Sequence, residues 1–276
     1  MDRIRLIASD MDATLLDEQS QLPADFEETI HALAELGIRF APASGRPLYT
    51  LEAMFPTLQD ELVFIGDNGG AIRWKGQNLF TSEMSPEGWR ALNRLTREQG
   101  DIAVLCGLES AYVERPFAVH DAVLRHFYTK IEYVDRLEDV AAPADKFTIY
   151  LPQHNAQQAY DTVYASQRSI YSVAVAGECW VDIMNPGVHK GAALQTLGQL
   201  WGLPSESIMA FGDTYNDAEM LQTVRYGFLM ENGSEPLRQK VPFLAPSNRE
   251  AGVMQVLHRV LAQNGCVCPE DFVPAH

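Results

Sequence analysis

The chain has 276 residues, 46% of them hydrophobic and 21% charged, enough apolar material for one large α/β domain or two ordinary ones, and this excludes a disordered chain. Its 37 acidic residues against 21 Lys and Arg leave a formal charge of −16, which repels nucleic-acid phosphates and anionic membrane surfaces, so neither is expected as a partner. A small anionic substrate meets the same repulsion, and its site must concentrate positive charge locally, as a bound cation would.

Arg3 to Ser9 (RIRLIAS) is a short apolar run that ends abruptly at Asp10 and predicts a buried strand. It is too short for a signal peptide, and no apolar stretch is long enough to span a bilayer, so a soluble cytoplasmic protein is expected. Pro23 opens a helical pattern through Phe26, Ile30, Leu33 and Leu36, which Gly37 stops. A second strand, Ile38 to Ala43, runs into Ser44-Gly45-Arg46, and a third, Leu62 to Ile65, leads to Asn68-Gly69-Gly70. Strands alternating with helices predict a parallel sheet with crossovers.

From Ala71 the rhythm changes. Ala71 to Phe80 reads as a hairpin turned at Lys75-Gly76. Between about Ser82 and Met184, helices are expected near 86–98, 118–128 and 155–166, among strands AVLC, AYVE, IEYV, KFTIYL, SIYSVAVA and CWVDIM. The last two strands read as antiparallel neighbours joined by a two-residue turn at Gly177-Glu178. The βα rhythm returns after Pro186, with a helix from His189 to Trp201 and a strand from Ser207 to Phe211 ending at Gly212-Asp213. A helix from Asn216 to Val224, a strand at Tyr226 to Met230 and a helix from Arg249 to Ala262 follow, and the tail after Gly265 is expected to be loose. The expected fold is α/β, a Rossmann-like parallel sheet core over residues 1–82 and 186–276 with an inserted α+β cap domain over residues 83–185.

In open α/β sheets the reacting groups lie in loops at the carboxyl ends of the strands. Those loops hold Asp10-x-Asp12-x-Thr14, Ser44-Gly45-Arg46 and Gly212-Asp213-x-x-Asn216-Asp217, and Lys190 begins a helix just before the last of them. These residue types suit phosphoryl transfer. A carboxylate attacking a phosphate opposes two anions, at a cost of roughly 4 kcal/mol per charge pair at about 4 Å and an effective dielectric near 20. Asp10 and Asp213 can hold one Mg2+ together with a backbone carbonyl and waters, and Lys190 adds a second positive charge. Thr14, Ser44 and nearby backbone N–H groups can bind phosphoryl oxygens. Asp12 is placed to protonate the leaving alkoxide and then to activate water against an aspartyl-phosphate, a task that keeps its side chain off the metal.

Ser44-Gly45-Arg46 alone is an ordinary turn, and Asn216 and Asp217 alone would simply start a helix. A lysine in the first turn of a helix is electrostatically disfavoured, which hints at a role for Lys190. Arg46 reads equally as a grip on a distal substrate anion or as a structural salt bridge. Trp74, Trp89, Trp180 and Trp201 read as core or domain-seam residues. Cys106, Cys179, Cys266 and Cys268 form no CxxC pair, and the histidines show no metal-binding spacing.

DMDATLL, ASGRP, GVHKG and GDTYND resemble, in order, the four motifs of the haloacid dehalogenase-like superfamily of phosphatases. The intervals are similar to its Cof-type sugar-phosphate branch, whose large cap lies between the second and third motifs, and the likeness covers nearly the whole chain. The resemblance implies Asp10 as nucleophile, Asp12 as general acid/base and Lys190 as charge neutraliser. It implies phosphate contacts from Thr14, Ser44, Gly45 and Asn216, and Mg2+ on Asp10, the Asp12 carbonyl and Asp213, with Asp217 behind them or near Lys190. One departure is Ala13, where the branch usually has glycine; a positive φ there would add about 1 kcal/mol of strain. The expected activity is hydrolysis of a small phosphorylated metabolite such as a sugar phosphate. Its rivals are a phosphomutase sharing the aspartyl-phosphate chemistry and, further off, a phospho-acceptor signalling protein.

Overall fold

A computed structural model describes residues 1–276. The opening apolar run becomes the strand Leu6–Asp10, buried throughout. Leu6 and Ala8 point into one apolar layer while Ile7 and Met11 join the other. A strand covered on both faces belongs in the middle of a sheet with helices on each side. Its sheet has nine strands, in the order Val273–Pro274, Phe243–Ala245, Tyr226–Met230, Ile208–Gly212, Leu6–Asp10, Arg39–Ala43, Val63–Gly66, Ala71–Trp74 and Gln77–Thr81. The six from Phe243–Ala245 to Val63–Gly66 run parallel. From Leu6–Asp10 the chain builds outward on one side, then returns at Ile208–Gly212 to build on the other. The strand order therefore reverses between these two strands, where a crevice opens at their carboxyl ends.

The inserted α+β domain has its own six-stranded sheet, ordered Ser172–Ala176, Trp180–Met184, Ala144–Tyr150, Ile102–Gly107, Ala111–Glu114 and Ile131–Val134. All neighbours are antiparallel except the last pair. The helix Pro86–Gln99 covers one face, started by the Ser85 hydroxyl, which accepts from Gly88 N at 3.1 Å, and ended by Gly100 at φ 75°. The chain crosses between the two sheets near Thr81–Ser85 and near Asn185–Gly187. The Asn185 amide ties the crossings together, donating to Ser82 O, Ser82 Oγ and Glu83 O at 3.2, 3.1 and 2.8 Å.

Several boundaries differ from the sequence reading. The first helix is Phe26–Glu35; Pro23 lies before it, its carbonyl closing a turn to Phe26 N at 3.0 Å. The helix expected over 118–128 splits into a 3-10 turn, Arg115–His120, and an α-helix, Asp121–Phe127. The next stops at Asp161, where the Thr162 hydroxyl bonds back to Gln158 O at 2.7 Å and the backbone leaves helical geometry. Ala176 pairs directly with Trp180, so the hairpin between them has three loop residues rather than two, with Gly177 at φ 68°. The tail is also ordered: Cys266–Val267 pairs with Asp2–Arg3, and Val273 and Pro274 pair with Leu244 and Phe243. Phe272 anchors it among Tyr226, Phe228 and Phe243. No helix is long and apolar enough to cross a membrane.

Candidate active site

Asp10 ends the central strand and the chain must turn at once to leave the sheet. Asp12 stays extended and Ala13 takes φ 60°, a left-handed conformation that costs an alanine roughly 1 kcal/mol. The loop is held from outside: Asn232 Nδ2 donates to Ala13 O at 2.8 Å, Asn248 Nδ2 to Leu16 O at 2.9 Å, and the two asparagines are bonded to each other. Neither asparagine was singled out in the sequence, where each sits among ordinary loop residues.

Lys190 opens the helix Lys190–Trp201, whose first turn is capped by the His189 ring accepting from Ala192 N at 3.1 Å. Its ammonium is completely buried and donates to Asp10 Oδ1 and, at 2.6 Å, to Asp217 Oδ1. The other oxygen of Asp217 accepts from the backbone N–H groups of Asp213 and Thr214, at 3.0 and 3.2 Å. Gly212 is required here, because a Cβ would overlap the Asp217 side chain. Asp213 Oδ1 accepts from the Thr14 hydroxyl at 3.2 Å. One oxygen each of Asp10, Asp213 and Asp217 fall within 4.8 Å of one another.

Three buried carboxylates surround one ammonium. Burial pushes Asp10 well above the usual carboxylate range, opposed chiefly by Lys190 and reinforced by Asp217 and Asp213. Asp213 is pushed up to about 6, by burial first and then by Asp217. Lys190 is raised: its two carboxylates outweigh the effect of burial. The cluster is short of positive charge. The side-chain hydrogen bonds fall on Oδ1 of both Asp10 and Asp213, leaving the second oxygen of each. An all-oxygen, carboxylate-rich set of this kind fits a hard divalent cation that keeps part of its water.

The remaining residues lie around a cavity of about 1170 Å3 between these loops and the inserted sheet. Ser44, Gly45, Arg46 and Asn216 line it beside Asp10, Asp12 and Asp213. Ser44 is buried and its Oγ accepts from Arg46 N at 3.1 Å. The Arg46 guanidinium spans both oxygens of Asp12 at 3.0 and 3.2 Å, so of its two sequence readings the salt bridge is the one formed. Asn216 stands exposed at the rim. Thr14 is buried and absent from the cavity wall; its hydroxyl serves Asp213 instead.

Sequence reasoning missed a second charged cluster at the seam. Lys146 Nζ, in the inserted sheet, reaches Gly45 O at 2.5 Å and Asp67 at 3.0 Å, and lies 3.6 Å from Asp182. Asn68 Nδ2 donates to Asp182 at 3.0 Å, and Asp67 and Asn68 hold φ of 51° and 54°. Asp145 is buried beside Asp67, and burial pushes both above the usual carboxylate range. The available signal was a single Lys and a single Asp within the otherwise apolar runs KFTIYL and CWVDIM.

Comparison with known proteins gives a consistent set. Residues 7–257 match the family model described as haloacid dehalogenase-like hydrolase. An Escherichia coli protein named 5-amino-6-(5-phospho-D-ribitylamino)uracil phosphatase YbjI is 32% identical over 262 residues, covering 94% of this chain and 96% of the relative. A Cronobacter sakazakii HMP-PP phosphatase is 31% identical over 249 residues, covering 87% and 89%. The crystal structure of SMU.1108c from Streptococcus mutans superposes with a TM-score of 0.85 at 28% identity, over 94% of this chain and 99% of that one.

Proposed function

Since the chain belongs to the haloacid dehalogenase-like hydrolases and its named relatives are phosphatases of small phosphorylated metabolites, we propose that it hydrolyses small phosphomonoesters with Mg2+, through an aspartyl-phosphate on Asp10. The observation that carries this reading is Asp10 at a strand end, against buried Lys190 and beside Asp213, on the floor of a ligand-sized cavity.

Asp10 attacks phosphorus in line with the ester oxygen, the P–O ester bond breaks, and Asp12 gives its proton to the departing alkoxide. Water then attacks the aspartyl-phosphate, Asp12 takes a proton from it, and inorganic phosphate and free Asp10 result. Arg46 holds the Asp12 carboxylate by both oxygens and so fixes where it takes a proton from water; for the acid step one oxygen leaves Arg46 and carries the proton to the alkoxide. Lys190 draws Asp10 toward its ionised form against the effect of burial, and offsets the approach of the phosphate dianion. Ser44, the backbone at Gly45 and Asn216 contact phosphoryl oxygens, while Thr14 orients Asp213. Mg2+ held by Asp10, Asp213 and the Asp12 carbonyl, with Asp217 behind them, would supply the positive charge that the acids lack.

Residues 83–185 act as a cap that excludes bulk water, moving about the two crossings that Asn185 ties together. The substrate is a sugar phosphate or a similar metabolite. The E. coli relative is named for a ribitylaminouracil phosphate and the Cronobacter relative for HMP-PP, so related chains serve different leaving groups. Phosphate release from a panel of phosphorylated metabolites, with Mg2+ and with EDTA, tests the reading. Release without a bisphosphate activator sets it apart from a mutase, and repeated turnover sets it apart from a phospho-acceptor. The Asp10→Asn protein should fold but not turn over; substantial activity would refute the nucleophile.

A further inference from the structure

Each backbone carbonyl of the Ser44-Gly45-Arg46 turn is held from outside the turn. Asn68 N donates to Ser44 O and Asp67 N to Arg46 O, both at 2.9 Å, so the loop after Val63–Gly66 grips the turn on either side of Gly45. The carbonyl between them, Gly45 O, takes its bond from Lys146 Nζ of the inserted sheet, at 2.5 Å. Two anchors of the turn therefore belong to the core, and the third belongs to the cap.

The two peptides fixed in this way have different N–H ends. The Gly45 N–H has no partner within the chain and stands at the cavity wall. The N–H of the Gly45–Arg46 peptide donates to Ser44 Oγ at 3.1 Å. A hydroxyl that accepts this bond still has its own hydrogen to give, and Ser44 lines the cavity beside Asp10. The carbonyl and N–H of one peptide share a plane, so the hold on Gly45 O also sets the direction of the Arg46 N–H.

The inserted sheet departs from regular pairing to make this contact. Ala144 pairs with Gly107 and Lys146 with Cys106, so Asp145 is an extra residue, a bulge that sends two successive side chains, Asp145 and Lys146, to Asp67. A lysine needed only to neutralise acids would make its closest approach to them. Lys146 lies 3.0 Å from Asp67 and 3.6 Å from Asp182, both farther than from Gly45 O. Charged groups regain water when the sheets part, so this seam resists opening less than an apolar one would.

We propose that Lys146 is a positioning residue that finishes the phosphate-binding turn from the cap. With the cap closed all three carbonyls are held; with it open Gly45 O is released and the Ser44 hydroxyl loses its fixed direction. Phosphoryl transfer is thereby tied to closure. This rests on the phosphatase reading above and adds to it one residue and one dependence.

The test is a double-mutant cycle on an Asp182→Asn parent, in which one acid fewer is stranded when Lys146 is replaced. That parent keeps the Gly45 contact and should lose only a few-fold in kcat/KM for p-nitrophenyl phosphate. On it, Lys146→Met should lower kcat/KM by about thirtyfold, mostly in kcat. With Ser44→Ala already present, the same replacement should cost no more than about threefold, because the residue it acts through is gone. Lys146→Arg, which keeps a cation in the seam, takes the same place in the cycle if Lys146→Met does not fold. Gly45-Arg46 is the only Gly-Arg step in the chain, so isotope labels on glycine carbonyls and arginine amides give a single NMR correlation. Its carbonyl should move upfield when Lys146 is replaced. An equal loss with Ser44 and with Ser44→Ala, no loss in either, or an unmoved carbonyl would each overturn this inference and leave the phosphatase reading standing. If the unsubstituted protein releases no phosphate from p-nitrophenyl phosphate or from the metabolite panel, that reading falls and this inference with it.

Discussion

Lys190→Met keeps most of the buried volume and removes the charge, so it isolates the electrostatic role of this side chain. In the folded protein the ammonium is inaccessible to water and contacts two carboxylates, Asp10 and Asp217, with Asp213 adjoining. Removing one partner of a buried ion pair costs about 3–5 kcal/mol, because the remaining charge is stranded. Two carboxylates are stranded here, so the upper part of that range is expected when no divalent cation is present. At roughly 2–4 °C per kcal/mol for a chain of this size, the melting temperature in EDTA should fall by about 10 °C or more. Mg2+ should recover much of this loss, since it would neutralise the same acids, and kcat should fall by at least about a hundredfold even with Mg2+. Thermal unfolding followed by circular dichroism near neutral pH, with EDTA and with Mg2+, measures the first two effects. An EDTA-treated variant that melts with the parent protein would refute the idea that Lys190 holds the acid cluster together.

Asp12→Asn cannot give a proton to the leaving group or take one from water, so it should form the phosphorylated Asp10 slowly and hydrolyse it more slowly still. Mass spectrometry after substrate addition should find the adduct, and failure to trap it would count against the role of Asp12. Asp213 is pushed up to about 6 in the folded protein, above the 3.8 of a free carboxyl. The folded state thus holds this proton more tightly, and the contribution to stability is full below about pH 4 and lost as pH rises through about 6. In EDTA the urea midpoint should fall across that interval, with Asp10 acting in the same direction, and Mg2+ should flatten the trend; a midpoint that climbs in EDTA contradicts the assignment. Ala13→Gly relieves a left-handed alanine at φ 60° but frees the unfolded chain, so a gain below about 1 kcal/mol is expected in denaturant titration. A loss larger than that would mean the Ala13 methyl group makes packing contacts that matter more than the strain.

The loops that meet at Asp10 were legible because two independent patterns agree there. Strands such as Leu6–Asp10 and Ile208–Gly212 are buried on both faces and read as unbroken apolar runs. An acid at the end of such a run has few structural reasons to be there, so Asp10 and Asp213 stood out before any geometry was known. Lys190 stood out for a similar reason, as a cation at the wrong end of a helix. The partnership of Lys190 with Asp217 is different. They are 27 residues apart, and only the parallel sheet brings the helix start against the loop after Ile208–Gly212. Thr14 shows the limit of motif reading: its position was foreseen, but which neighbour its hydroxyl would choose depended on where Asp213 came to rest.

The seam between the sheets was illegible for a deeper reason. Lys146 and Asp182 lie opposite each other's neighbours, Met184 and Thr148, through a register fixed by the apolar face of the inserted sheet. Their partners Asp67 and Asn68 come from a loop held in left-handed geometry on the other sheet. Nothing in KFTIYL or CWVDIM encodes that meeting, because each strand alone needs only its alternate residues to be apolar. A buried lysine among three acids is a poor source of net stability but a strong constraint on alternatives, since any other docking of the two sheets would strand those charges. The same constraint sets the inserted sheet across the cavity from Asp10. The residues that hold the two sheets together thus also set which face of the inserted sheet meets the cavity.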